Sequence, residues 1–81
     1  METIKMANGA SYSCSYARAV EDTAHIYFNG SDFVAAAQIF GSPNNTRRME
    51  HGDYVLDGYT RLVNLYKQDD CIHVILKKEA L

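Results

Sequence analysis

The clearest alternation of apolar and polar positions lies near the C-terminus. Ile72, Val74 and Leu76 recur at every second position, which predicts a strand with these side chains on its buried face. The opposite face of that strand would carry Cys71, His73, Ile75 and Lys77. Polar residues 68–70 separate this strand from another β-rich run before it, and the arrangement predicts a hairpin.

The run before that break, residues 54–67, has an irregular pattern. Tyr59, Leu62 and Leu65 are spaced by three positions rather than two. Gly58 directly precedes the irregularity, and a glycine within a strand is typical of a bulge that re-aims the next side chains. We therefore predict one long, bulged strand.

Three more alternating runs occupy residues 3–6, 11–16 and 23–28 of the N-terminal part. Asn8-Gly9 lies between the first two and favours a type I′ turn, in which both central residues have positive φ. Residues 18–22 are interpreted as a connection. The side chains predicted to face inward are Ile4, Met6, Tyr12, Cys14, Tyr16, Ala24, Ile26 and Phe28.

One helix is indicated over residues 33–40. Ser31 or Asp32 can cap its first turn, while Gly41 and Pro43 favour its end. The face of this helix that packs on the sheet is predicted to consist of Phe33, Ala36, Ala37 and Phe40.

A short strand is predicted at residues 46–51, with Met49 inward and charges outward, which is typical of an exposed edge. The resulting order, βββαβββ, lacks the strand–helix alternation of a parallel sheet. We therefore predict an α+β fold in which residues 1–81 form a single small domain, mostly an antiparallel bent sheet or partial barrel with one short helix. The face away from the helix would hold several of Tyr27, Tyr54, Tyr59, Tyr66, Ile75 and the histidines.

Composition narrows the classes of partner. The 81 residues are 47% apolar and 22% charged, as in folded globular domains. A formal charge of −2 provides no overall basic field to attract nucleic acid or an anionic membrane. The longest apolar stretch, residues 33–37, is too short to cross a bilayer, and the first residues lack a signal-peptide pattern. We expect a cytoplasmic protein with no membrane partner.

Residues that could support a chemical site are few. The metal-ligating types are Cys14, His25, His51, Cys71 and His73, and they lack the close paired spacing of zinc modules. A nucleophilic cysteine would need a nearby histidine and an orienting carboxylate, but Asp69 and Asp70 lie where a hairpin turn favours aspartate. We expect no catalytic residue, no cofactor and no bound metal.

A basic stripe would form if the strands carrying certain cations were neighbours, with Tyr59 and Tyr66 interleaved. These cations are Arg47, Arg48, Arg61, Lys67, Lys77 and Lys78. Acidic residues occupy the same region, so mixed-charge strand faces are the preferred interpretation. Nucleic acid is not the expected partner.

Several short stretches carry a resemblance to a group of proteins. They are Thr3-Ile-Lys-Met-Ala-Asn-Gly-Ala, Phe40-Gly-Ser-Pro-Asn-Asn-Thr, Gly58-Tyr-Thr-Arg-Leu and Val74-Ile-Leu-Lys-Lys-Glu79. With them the chain, from Ile4 to Glu79, resembles small uncharacterised proteins encoded by phages and prophages of Gram-positive, Clostridia-like bacteria. The resemblance implies a role in virion assembly or an accessory role rather than catalysis, and it supplies no active-site residues.

The aromatic content bears on the mode of action. Six tyrosines and three phenylalanines are more than so small a domain easily hides, and tyrosine is enriched in protein interfaces. We predict a non-enzymatic protein-interaction module, a homo-oligomer or phage structural protein such as a tail or assembly component of the particle. The alternative is a small phage-encoded regulator or inhibitor that binds a host protein or nucleic acid. Candidate interface residues are Tyr54, Tyr59, Arg61 and Tyr66.

Overall fold

A computed structural model describes residues 2–79, which form one seven-stranded antiparallel sheet and two short helices. The elements are β1 Glu2–Lys5, β2 Ser11–Val20, β3 Thr23–Asn29, α1 Phe33–Phe40, α2 Pro43–Thr46, β4 Arg48–His51, β5 Tyr54–Asp57, β6 Arg61–Gln68 and β7 Cys71–Lys77. The spatial order of the strands is β5-β4-β1-β2-β3-β7-β6. The predicted antiparallel α+β character is confirmed, while a second helix and an additional strand depart from the predicted order.

The sheet combines a three-stranded meander with two hairpins. β1, β2 and β3 pair in sequence, the β4–β5 hairpin joins at β1, and the β6–β7 hairpin joins at β3. The two junctions differ in length. β3 and β7 are paired along their whole length, from Thr23↔Lys77 to Asn29↔Cys71, whereas β1 and β4 share only Ile4↔His51 and Lys5↔Glu50.

The run predicted as one bulged strand is instead two strands at opposite edges of the sheet. Gly58, with φ of +85°, separates β5 from β6. Its N–H donates to Arg47 O at 2.8 Å, and its carbonyl accepts from Glu79 N–H at 3.2 Å. Gly58 therefore forms a corner between the two edges rather than a bulge.

That corner requires the sheet to be curled. Strands at about 4.8 Å spacing would place the edges of a flat seven-stranded sheet about 29 Å apart. Even fully extended, the chain from the Cα atom of Asp57 to that of Arg61 spans at most about 14 Å. The sheet is thus a bent, open structure whose two edges approach each other at this corner.

The core lies on the inner side of the curl. Ile4, Met6, Cys14, Ala17, Ala24, Ile26, Ala36, Phe40, Met49, Leu56, Tyr59, Ile72, Val74 and Leu76 are buried there. In β7 the predicted face of Ile72, Val74 and Leu76 is confirmed, since all three are fully buried. The alternation of the closing strand therefore identifies its core side correctly.

Asp32 caps α1, because its carboxylate accepts hydrogen bonds from Val34 N–H at 3.0 Å and Ala35 N–H at 3.1 Å. The predicted apolar face is only half right: Ala36 and Phe40 are buried, whereas Phe33 and Ala37 are exposed. Pro43 does not simply stop the helix but begins α2. Within residues 2–79 neither helix is long and apolar enough to cross a membrane.

The turn between β1 and β2 differs from the predicted type. Gly9 has φ of +90°, but among the described non-glycine residues only Glu21 and Asp69 have positive φ, so Asn8 does not. Gly9 N–H donates to Met6 O at 3.0 Å, and Met6 N–H donates to Ala10 O at 2.8 Å. The loop is therefore a longer hairpin connection with a single left-handed glycine rather than a type I′ turn.

β2 is longer than predicted, and a bulge within it reverses which alternate side chains point towards the core. The register with β3 shifts between Cys14 and Tyr16, so Cys14 faces the core while Tyr16 faces out. Residues 18–20, interpreted as a connection, continue the strand. The prediction that Tyr16 faces inward is therefore wrong, and the bulge is the reason.

The strand predicted at residues 46–51 is not an edge. β4 begins at Arg48 and lies between β1 and β5, with Met49 buried as predicted. Its outward charges face neighbours on β5, since Arg48 lies 3.5 Å from an Asp57 carboxylate oxygen. The actual edges are β5 and β6.

Candidate functional site: the outer face of the sheet

The side of β2, β3, β7 and β6 away from the core, here called the outer face, has its side chains arranged in rows across the strands. The most prominent is the aromatic row, which consists of Tyr16, Tyr27, His73 and Tyr66. Register pairs Tyr16↔Tyr27, Tyr27↔His73 and Tyr66↔His73 place these residues directly opposite one another on four adjacent strands. Cross-strand neighbours in such positions contact each other through their side chains.

The rings of the aromatic row form a continuous column. Tyr27 and His73 are stacked, with centroids 4.2 Å apart and an interplanar angle of 19°. Tyr66 meets His73 edge to face at 4.8 Å, and Tyr16 is tilted against Tyr27 at 5.8 Å. The two inner rings cover each other, so the ends of the row, Tyr16 at 43% and Tyr66 at 37%, have the more exposed rings.

His73 is the centre of a hydrogen-bonded chain. Its Nδ1 contacts the Tyr66 hydroxyl, and its Nε2 lies 3.3 Å from Nδ1 of His25. A neutral imidazole satisfies both contacts when Nδ1 accepts from Tyr66 and Nε2–H donates to His25. Burial, and secondarily the neighbouring His25, lowers the pKa of His73 below its usual value.

Two further rows of the outer face carry cations. Arg18, His25, Ile75 and Asn64 form one, and Val20, Thr23, Lys77 and Arg61 form the next. The four strands contain no aspartate or glutamate, but carboxylates border them in the turns at residues 21–22 and 69–70 and at Glu79, which lines a depression together with Arg61 and Lys77. Asp22 lies 3.8 Å from Lys77 Nζ. Three of the chain's eight arginine and lysine residues, Arg18, Arg61 and Lys77, thus lie on the outer face.

A shallow depression of about 210 Å³ lies on this face between the first two rows. Its lining consists of Tyr16, Arg18, Val20, His25 and Tyr27. It combines aromatic rings, an imidazole and one guanidinium, which is a set suited to a planar ligand carrying negative charge.

The predicted interface residues are not brought together as a group. Arg61 and Tyr66 lie on the outer face, whereas Tyr54 is exposed on β5 at the other edge. Tyr59 is buried in the core, and its hydroxyl donates to Glu21 O at 3.1 Å. Burial also raises the pKa of Tyr59. Its ring therefore offers no contact surface, contrary to expectation.

The basic stripe considered from sequence does not form as a unit. Lys77 and Arg61 are register partners on β7 and β6, but Arg48 lies on β4 beside Glu50 and Asp57. Lys67 is opposite Ile72, which faces the core side. Sequence reasoning instead missed Arg18, because the continuation of β2 through residues 18–20 was not recognised.

The structure gives little support to a metal site or to a nucleophilic cysteine. Among residues 2–79 no group of three or more His, Cys, Asp or Glu side chains is placed to hold a metal ion. Cys14 is fully buried, and burial raises the pKa of its thiol, which disfavours the nucleophilic thiolate. Cys71 and His73 do share the outer side of β7, as predicted.

Comparison with known proteins finds no match for this chain among protein-family models, curated proteins or solved structures. The resemblance to phage and prophage proteins therefore stays a prediction. A role for the chain has to be argued from its own geometry, of which the outer face and the β6 edge are the distinctive parts.

Proposed function

We propose that the protein is a non-enzymatic protein-interaction module that acts as a homo-oligomer through the β6 edge. One observation supports this most directly: within residues 2–79, β6 is paired on one side only, with β7, and each of its residues except Leu62 and Leu65 is exposed. A strand of eight residues paired on one side presents backbone donors and acceptors to another strand, apart from Leu65 N–H, which donates to Asn64 Oδ1 at 2.9 Å.

Side chains on this edge favour association with a second copy. Val63 lies at the register shift in β6 and is 54% exposed, and Tyr66 is three residues further along. An antiparallel pairing of β6 with β6 of a second copy, centred between Asn64 and Leu65, places Val63 beside Tyr66 twice. Such a two-fold contact is self-complementary and closes as a dimer.

Sedimentation equilibrium tests self-association, with Val63→Lys as the disrupting variant. Charged side chains, lysine above all, disfavour the pairing of an edge strand with another strand, so the variant should sediment as a monomer of about 9 kDa where the natural chain is a dimer. The matched control is Val34→Lys, which makes the same change on α1 at a residue 67% exposed. That control should leave the dimer intact.

Each alternative outcome is informative. A monomeric natural chain at every concentration contradicts the homo-oligomer. Loss of association in both variants contradicts the β6 edge as the contact, since Val34 is on a different element. If Val55→Lys on β5 abolishes association while Val63→Lys does not, the contact is at the opposite edge.

The resemblance to phage and prophage proteins extends the proposal to a cellular context. A module that self-associates through a strand edge suits a component of a phage tail or its assembly, made in the cytoplasm and incorporated into the particle. Gene neighbourhood tests this point. Flanking capsid and tail genes support it, whereas flanking repressor or early genes favour a regulator or inhibitor of a host protein.

A further inference from the structure

We propose that the outer face binds single-stranded nucleic acid, a second activity beyond self-association at the β6 edge. The inference rests on the charge of the four strands, the exposed ends of the aromatic row and the depression between β2 and β3. It departs from the expectation that nucleic acid is not a partner, which was based on the net charge of the whole chain and on the acidic residues near the cations.

The charged side chains that the four strands place on this face are all cationic, while the turns at the ends of the strands are acidic. Arg18, Arg61 and Lys77 lie on the outer face, and no carboxylate belongs to the strands that carry them. The other acidic residues near this face border it at the strand ends, in the turns at residues 21–22 and 69–70 and at Glu79, and Asp22 lies 3.8 Å from Lys77 Nζ. Among residues 2–79 Arg18 and Arg61 form no ion pair, so each can attract a phosphate group locally even when the net charge is −2.

The aromatic row supplies surfaces that distinguish a nucleic acid from other polyanions. Bases stack on exposed aromatic side chains, and this binding is tolerant of sequence. Tyr27 and His73 cover each other, so stacking falls to Tyr16 and Tyr66 at the ends of the row. Both residues lie on strands that also carry an outer-face arginine, Arg18 on β2 and Arg61 on β6.

Tyr16 and Arg18 define the more complete position. They are two residues apart on one strand and both line the depression, together with His25 and Tyr27. A base resting against the Tyr16 ring would leave its phosphate within reach of the Arg18 guanidinium, which binds phosphate through paired N–H donors. Duplex nucleic acid keeps its bases stacked inside, so this position selects single strands.

Fluorescence anisotropy of a labelled 12-nucleotide oligothymidylate, titrated with the natural chain at low salt and pH 7, tests the proposal. We expect micromolar binding that weakens as salt increases. Two phosphate contacts, from Arg18 and Arg61, predict a slope of log K against log salt of about −1.4. Failure to bind at 100-fold higher protein concentrations would overturn the proposal.

Matched variants distinguish binding at the outer face from nonspecific electrostatic attraction between the protein and the oligonucleotide. Arg18→Gln should weaken binding several-fold, whereas Arg47→Gln removes the same charge from the residue after α2 and should have little effect. Tyr16→Ala should weaken binding by about 5- to 100-fold. Tyr54→Ala, at a tyrosine of similar exposure (45%) on β5, should not, and Tyr16→Phe should retain binding because its ring still stacks. Circular dichroism of each variant checks that the fold is kept.

Three results contradict the proposal. Equal losses in the Arg18 and Arg47 variants, or in the Tyr16 and Tyr54 variants, would show that the outer face is not the site. Equal affinity for a duplex of the same length would show attraction to phosphate without base stacking. Competition by polyglutamate as effective as that by unlabelled oligonucleotide would point to an acidic protein partner. Each comparison is made between variants of the same chain under the same conditions, so it tests the outer face whether the chain is a monomer or a dimer.

Discussion

His73 shows how a single residue links packing to pH. It is buried on the outer face between the Tyr27 ring and Tyr66, and its hydrogen-bonded chain joins the Tyr66 hydroxyl on one side to the His25 imidazole on the other. Protonating His73 alone keeps both hydrogen bonds, since Nδ1–H can donate to the Tyr66 oxygen. Protonating both histidines sets two N–H groups against each other at 3.3 Å. The cluster therefore favours the neutral form.

This arrangement predicts acid-sensitive stability. The folded-state pKa of His73 is lowered by burial, so the unfolded chain, with a histidine pKa of about 6.5, binds the proton first. The contribution of His73 is fully present above pH 6.5 and is lost as pH falls through the lower folded pKa. Thermal melts from pH 7.5 to 5.5 should show a falling melting temperature.

Nuclear magnetic resonance gives the direct control for that prediction. The His73 imidazole should titrate below 6.5, and below a histidine in a denatured reference. A His73 pKa at or above the denatured value would contradict the effect of burial. His73→Phe, which preserves the stack on Tyr27 but cannot be protonated, should show a smaller fall in melting temperature over the same pH range.

The face of His73 could be predicted from sequence, but its environment could not. Period-two alternation in residues 71–77 identifies which side chains share a side, because that property is local to one strand. The stack on Tyr27 depends on which strand lies beside β7, and this neighbour is 46 positions away in the chain. The exposure of Tyr16 depends in addition on a bulge between Cys14 and Tyr16, where the sequence has no glycine to indicate one.

At the scale of elements, the β1–β2 hairpin depends on one backbone conformation. A Cβ added at Gly9 would meet no atom within 4 Å, so a side chain there causes no clash with the rest of the molecule. The φ of +90° is nevertheless unfavourable for any other residue, and most of all for a β-branched one. The effect of substitution at Gly9 is therefore purely conformational.

We expect Gly9→Val to lower the free energy of unfolding by about 1–3 kcal/mol. Gly9→Asn should cost less, because asparagine adopts positive φ more readily. Chemical denaturation of the two variants beside the natural chain measures the difference. Equal stabilities of all three would show that the loop relaxes to another conformation.

Turn residues were informative about where strands end but not about the direction that the chain takes after them. Gly58 was identified as an interruption of the β pattern, and that much is correct. A bulge and a corner can both use a glycine with positive φ, and they differ in whether the next strand continues along the same partner or crosses to another edge. The distinction depends on hydrogen bonds to Arg47 and Glu79, which lie outside the run.

At the scale of the whole molecule, the curl of the sheet accounts for the remaining departure from expectation. Charges on residues 48–51 suggested an exposed edge, yet β4 is interior. The outer face of a curled sheet is convex and in contact with solvent, so an interior strand can keep charged side chains on that side. Charge on a strand therefore reports the exposure of its face, not the position of the strand in the sheet.

The two hairpins are attached to the β1–β2–β3 meander by junctions of unequal length, so local unfolding should require less free energy at one hairpin than at the other. β4–β5 is attached to β1 by two register pairs, aided by a Glu2 carboxylate 2.7 Å from His51 Nε2, whereas β6–β7 is attached along all of β3. Detaching β4–β5 exposes the core residues Met49 and Leu56, but it breaks fewer backbone pairings than detaching β6–β7 and leaves the meander and the other hairpin paired. Amide hydrogen exchange should accordingly be faster in residues 48–57 than in β3 and β7, because the former exchange by partial unfolding and the latter only by complete unfolding. Equal protection in both regions would mean that the short junction is as strong as the long one and that the sheet opens only as a whole.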